Sequence, residues 1–109
     1  MSNISATGAE FEGKSVVVTG AGAGMGREIT IGFLKQGATV IAVDINKGAL
    51  DKMREELQEE YSTEVVDRFV PFVGDISKQE TNEAMIDRAV EATGNIDVLV
   101  NNAGITRDN

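Results

Sequence analysis

The chain has 109 residues, 41% of them hydrophobic and 26% charged, with no cysteine, no histidine and a formal net charge of −8. That is the length of one domain with enough apolar residues for a core, and its acidity argues against nucleic acid or an anionic membrane surface as a partner. The missing residue types exclude disulfides, thiolate chemistry and histidine bases, and they leave only a purely carboxylate Mg²⁺ or Ca²⁺ site open, with no D-x-D-x-D-G spacing to support one.

The opening stretch, "MSNISATGAEFEGK", has no basic start and no apolar run, so it does not read as a signal peptide. No segment approaches the length of a membrane span. The reducing cytoplasm is the expected compartment. Residues 1–13 are expected to be a loose arm and 14–109 the folded domain.

The first expected strand is "SVVVT" (15–19), which runs into a loop with four glycines in seven residues, Gly20, Gly22, Gly24 and Gly26. A helix is expected from about Met25 to Gln36, with Met25, Ile29 and Phe33 spaced by four and Gly37 as its stop. A second strand, "TVIAV" (39–43), ends on Asp44. A second helix runs from about Lys47 to Tyr61, with Leu50, Met53, Leu57 and Tyr61 inward and Asp51, Glu55, Glu56, Glu59 and Glu60 outward. The third strand, "RFVPFV" (68–73), contains Pro71, which places it most easily at a sheet edge. A third helix runs from about Lys78 to Thr93, with Met85, Ile86, Ala89 and Val90 inward. Ser77 and Glu80 read as its capping box. The fourth strand, "DVLV" (97–100), leads into "NNAG".

The strands are continuous apolar runs, as expected where both faces are buried. Strand alternating with helix means βαβ units, a parallel sheet and right-handed crossovers.

The glycine loop lies where a strand turns into a helix, and helix N-termini favour anions through unpaired N–H groups and the helix dipole. Turns use glycine too, so the spacing has to discriminate. G-x-x-x-x-G-K-[ST] is absent, which argues against an ATPase or GTPase. G-x-G-x-x-G fails because Met25 stands where its last glycine would be. T-G-x-x-x-G-x-G fits, as Thr19, Gly20, Gly24 and Gly26. Asp44 follows Gly24 by 20 residues, where an acid can bond both ribose hydroxyls of an adenosine; it reads equally as a turn or cap aspartate before "INKG". Asp75 follows the third strand, and Asn101, Asn102, Ala103 and Gly104 follow the fourth. All lie at carboxyl ends of strands, where open α/β sheets place ligands.

Together, T-G-x-x-x-G-x-G, the strand-end acid, "DI" and "NNAG" resemble the short-chain dehydrogenase/reductase family from about Phe11 onward, and "NNAGITRDN" looks most like 3-oxoacyl-acyl-carrier-protein reductases and 3-hydroxyacyl dehydrogenases. The resemblance implies a Rossmann-type α/β fold of four parallel strands in order 3-2-1-4 with three helices, an incomplete doubly wound sheet. It implies that Gly20, Gly24, Met25 and Gly26 wrap a dinucleotide's pyrophosphate and adenosine. Asp44 would hold the adenine ribose with Ile45 against the adenine, Asp75 and Ile76 would meet the ring, and Asn102, Ala103 and Gly104 would line the cofactor's middle. Thr19 would brace the "NNAG" turn. NAD is the expected cofactor over NADP, because Asp44 would repel a 2′-phosphate and neither Ala23 nor Ile45 supplies a positive charge.

The family's catalytic serine and Y-x-x-x-K do not occur here: Val65 stands four residues after the only tyrosine, Tyr61, which reads as core, and no serine follows Ser77. No catalytic residue is assigned. The expected function is thus the NAD(P)-binding part of an oxidoreductase. The alternatives are a non-catalytic dinucleotide-binding module and a structural half that works with a complementary chain. The expected partners are a dinucleotide and either a second copy of the chain or a complementary C-terminal half.

Overall fold

The computed structural model describes residues 10–102. Their order is β1 (Ser15–Thr19), α1 (Gly24–Lys35), β2 (Thr39–Asp44), α2 (Lys47–Glu60), α3 (Thr63–Asp67), β3 (Phe69–Val73), α4 (Gln79–Thr93) and β4 (Val98–Asn101). The strands form one parallel sheet in the order β3-β2-β1-β4, as expected. Pro71 lies on the edge strand β3, opposite Ala42, where its missing N–H breaks no ladder. The short α3 was not anticipated, because five residues are too few to show a helical period. Ser62 caps it, accepting from the Val65 N–H.

Alternating strand residues build two cores. Val16, Val18, Val40, Ala42 and Phe69 pack with Leu34 of α1 and with Leu50, Met53 and Leu57 of α2. Val17, Ile41 and Val43 face the other way and meet Met85 and Ala89 of α4. β1 is buried along its whole length and β2 through its middle, which fits their unbroken apolar runs. The edge strands β3 and β4 are only partly covered.

Four local expectations are corrected. The buried stripe of α1 is Gly26, Thr30 and Leu34, while Met25 is 63% exposed and Ile29 and Phe33 are only partly buried. The rotation of α1 is set by Gly26, which lies against the Gly20 carbonyl where no side chain fits, so the apolar spacing of four falls on the helix's flank. On α4, Met85 and Ala89 are buried, but Ile86 and Val90 are 47% and 46% exposed. This is the sheet face with a single helix, and Leu99 of β4, on the same face, is 57% exposed.

The Ser77 capping box does not form. The N-cap position is Lys78 without a side-chain bond, because the Ser77 hydroxyl and N–H both donate to Asp75 Oδ1, at 2.7 and 3.0 Å. Finally, the end of the expected arm is anchored. The Phe11 N–H donates to the Gln36 carbonyl at 2.8 Å, and its ring meets Phe33 edge-on at 5.0 Å. Gly37 stops α1 as expected, with φ at +96°.

Candidate dinucleotide site at the carboxyl edge of the sheet

The parallel sheet brings the ends of β1, β2, β3 and β4 to one rim, and with them most of the residues singled out by spacing. β1 runs directly into Gly20, which has φ +65°, and the loop enters α1 at Gly24, with φ +58°. Both angles lie in the left-handed region that favours glycine. Gly26 is needed for a different reason. A Cβ there would stand 2.0 Å from the Gly20 oxygen and 2.8 Å from Asn102 Nδ2. The start of α1 therefore lies directly on the end of β1, and Asn102 Nδ2 closes the join by donating to the Gly20 carbonyl at 3.3 Å.

Asp44 ends β2 and is tied on both oxygens. Oδ2 accepts from the Gly22 N–H at 2.8 Å, and Oδ1 accepts from the Asn46 N–H at 2.9 Å. The local turn reading of this aspartate is met by the Asn46 bond, and the Gly22 bond couples the same carboxylate to the glycine loop. Asn46 is the cap of α2, its side-chain oxygen accepting from the Ala49 N–H at 3.0 Å. Gly22, Asn46 and Ala49 lie around Asp44 at the candidate site and were not singled out by spacing. The "INKG" turn carried the signal for Asn46, since asparagine is a preferred N-cap. Gly22 is not part of T-G-x-x-x-G-x-G, and only the fold places it beside Asp44.

Ile45 is 67% exposed, and Met25 stands open as well, so two large apolar side chains flank the rim and are left uncovered among the described residues. Asp75 and Ile76 follow β3 and are half-buried, with Ile76 packed at the edge of the second core. Asn102 is buried, and its Oδ1 has no partner among the described residues. Ala103 and Gly104 lie outside the described residues. Thr19 fulfils the bracing role: its Oγ1 donates to Asn101 Oδ1 at 3.1 Å.

The N-terminus of α1 has no side-chain cap and no acidic residue in its first turn, whereas Asn46 and Ser62 cap α2 and α3. α4 is also without a side-chain cap but carries Glu80 in its first turn, so the first-turn amides of α1 are the better placed to take an anion. Two of the cations near this rim are engaged: Arg27 pairs with Glu56 and Glu28, and Lys47 with Asp51.

The short chain dehydrogenase family model matches residues 14–109. The chain belongs to this family. It is 40% identical over 98 residues to the 3-oxoacyl-[acyl-carrier-protein] reductase of Thermotoga maritima, covering 90% of this chain and 38% of that protein. Among solved structures it resembles a short chain dehydrogenase/reductase from Burkholderia phymatum in complex with NAD, with a TM-score of 0.72 and 30% identity over 83% of this chain and 30% of the other. It also resembles a 3-ketoacyl-(acyl-carrier-protein) reductase from Brucella melitensis complexed with NADH, with a TM-score of 0.70 and 31% identity over 82% and 33%. The chain spans roughly a third of the length of the curated relatives it matches. No helix among the described residues is long and apolar enough to cross a membrane.

Proposed function

We propose that the chain is the NAD-binding part of a cytoplasmic oxidoreductase that moves a hydride between a nicotinamide cofactor and a carbonyl or hydroxyl substrate. The observation that carries this reading is the bond from the Gly22 N–H to Asp44 Oδ2, which joins a phosphate-type glycine loop to a strand-end acid at one sheet rim. The residues suit a dinucleotide. The close join of Gly26 on Gly20 opens α1 toward the rim, and its uncapped amides suit a pyrophosphate. Asp44 accepts from ribose hydroxyls, the exposed Ile45 and Met25 cover the flat adenine, and Asp75 and Ile76 lie beyond it. Asn102, with Ala103 and Gly104 next in the sequence, is assigned to the cofactor's middle. When bound, the cofactor supplies the hydride.

NAD is favoured over NADP because Asp44 would repel a 2′-phosphate and the residues next to the loop glycine and the acid, Ala23 and Ile45, are neutral, while Arg27 and Lys47 are already paired. A lost charge-assisted bond and the added repulsion are worth about tenfold or more in affinity. Calorimetry with NADH and NADPH tests this. Tighter NADH binding is expected. Equal or tighter NADPH binding contradicts the cofactor choice, and absence of binding by both contradicts the site.

The chain's acid–base groups do not include Y-x-x-x-K, so its own residues bind and orient rather than move protons. The partner that completes the protein is a second copy or a complementary chain. The half-covered face of Ile86, Val90 and Leu99 supports this.

A further inference from the structure

Gly22 differs from the glycines on either side of it. Gly20 and Gly24 have positive φ, whereas Gly22 does not. Its backbone would accept any L-residue without left-handed strain. What a side chain would meet there is Asp44: a Cβ on Gly22 would stand 2.9 Å from Asp44 Oδ2, 3.1 Å from its Cγ and 2.9 Å from Ala49 Cβ.

The two neighbours yield unequally. Ala49 Cβ is carried on the first turn of α2, whose backbone is held by the Asn46 cap at 3.0 Å. The Asp44 carboxylate hangs on two rotatable bonds and is held by the Gly22 N–H at 2.8 Å and the Asn46 N–H at 2.9 Å. A methyl at position 22 therefore turns the carboxylate before it moves the helix. In the present arrangement each oxygen is anchored by one N–H and keeps a further lone pair for an incoming hydroxyl. A planar acceptor pair fixed in this way matches a ribose diol and stands against a phosphate on either hydroxyl.

We propose that Gly22 is a positioning residue for cofactor choice, its bare backbone and N–H holding the Asp44 carboxylate where it accepts from the adenine ribose and repels a 2′-phosphate. This rests on the reading of Asp44 given above. Gly22 touches no cofactor atom in this account and acts only through Asp44.

The test is a double-substitution cycle in the 109-residue chain, with NADH and NADPH affinities read by titration and folding checked by circular dichroism. Gly22→Ala is expected to lower the NADH-over-NADPH preference by about fivefold or more, mainly through weaker NADH. In the Asp44→Ala background the same substitution is expected to change either affinity by less than about twofold. Adding Ala49→Gly to Gly22→Ala gives the methyl room on the helix side and is expected to restore most of the preference. If Gly22→Ala does not fold, Gly22→Val with Ala49→Gly, whose larger side chain refills that room, is expected to lose the preference and carries the test.

An unchanged preference in Gly22→Ala overturns the proposal, as does an equal loss with and without the Asp44 carboxylate. If Asp44→Ala abolishes the preference while Gly22→Ala leaves it intact, only the role of Gly22 fails. If Asp44→Ala itself leaves the preference intact, the reading of Asp44 fails and this proposal fails with it.

Discussion

Replacing Gly26 by alanine puts a methyl carbon 2.0 Å from the Gly20 oxygen, 2.7 Å from the Gly20 carbonyl carbon and 2.8 Å from Asn102 Nδ2. An ordinary C···O contact is about 3.3 Å or longer, so more than an ångström has to be found. The obstacle is backbone at the end of β1, and that backbone is tied to β2 by the Ala21 N–H donating to the Val43 carbonyl at 3.0 Å. Overpacking of this kind costs roughly 1–3 kcal/mol. Losing the Asn102 bond to Gly20 adds about 1 kcal/mol.

For a domain of this size each kcal/mol lowers the midpoint by about 4–8 °C, so a total near 2–4 kcal/mol predicts a drop of roughly 8–30 °C. Gly24 is the internal control. A Cβ there meets nothing within 4 Å, and φ +58° leaves only the backbone penalty of about 1–2 kcal/mol. The assay is thermal melting by circular dichroism at one fixed protein concentration, because association would shift the midpoint. The order expected is parent, then Gly24→Ala, then Gly26→Ala. A Gly26→Ala chain that melts with the parent, or above Gly24→Ala, would refute the reasoning that the strand and helix meet on that hydrogen.

Thr19→Val removes the hydroxyl that donates to Asn101 Oδ1; Asn101 is exposed and can turn to water, so the loss expected in urea unfolding is about 1 kcal/mol, and no loss would deny the brace. The half-open face of Ile86, Val90 and Leu99 holds roughly 2–5 kcal/mol of unrealised burial, and β4 offers a free backbone edge, so light scattering on a size-exclusion column is expected to show a dimer or larger species at micromolar concentration. Leu99→Lys should shift that species toward monomer, and a cooperatively melting parent monomer would show that the sheet closes itself. The chain alone is expected not to consume NADH with an acetoacetyl thioester, since positioned acid–base groups worth about 10²–10⁴-fold are not on it; turnover that copurifies with the chain would be the contrary result.

Much of this fold could be read before any coordinates. Three β-branched runs and "DVLV" announce strands because short apolar runs suit a parallel sheet, buried along β1 and through the middle of β2 and partly covered in β3 and β4, and Pro71 marks an edge because it lacks an N–H. The order of the strands agreed with the family resemblance. What could not be read was rotation and local competition. Nothing in "MGREITIGF" says that Gly26, the smallest residue, faces β1; the apolar residues spaced by four look like the better face until the Gly20 carbonyl is in place.

Ser77 has the right type and spacing for a cap, yet Asp75 two residues earlier offers its hydroxyl a nearer acceptor. Ile86 and Val90 obey helical periodicity toward a surface that the described residues do not supply. At the site, Gly20, Gly24, Gly26, Asp44 and Asn102 were marked by spacing because each sits at a strand end or opens α1. Gly22 and Ala49 were silent, since their part depends on a contact between β2, α2 and the loop that only the folded chain makes.

The central claim is that the carboxyl rim of this sheet binds the adenosine and pyrophosphate of NADH. Amide chemical-shift mapping with NADH on the isotope-labelled chain tests it most directly. The account predicts the largest shifts at Gly20, Gly22, Gly24, Met25, Gly26, Asp44, Ile45, Asp75, Ile76 and Asn102, with the opposite rim around Ser15, Thr39 and Phe69 unmoved. Shifts centred on that opposite rim, on the outer face of α2, or nowhere at saturating NADH would contradict it.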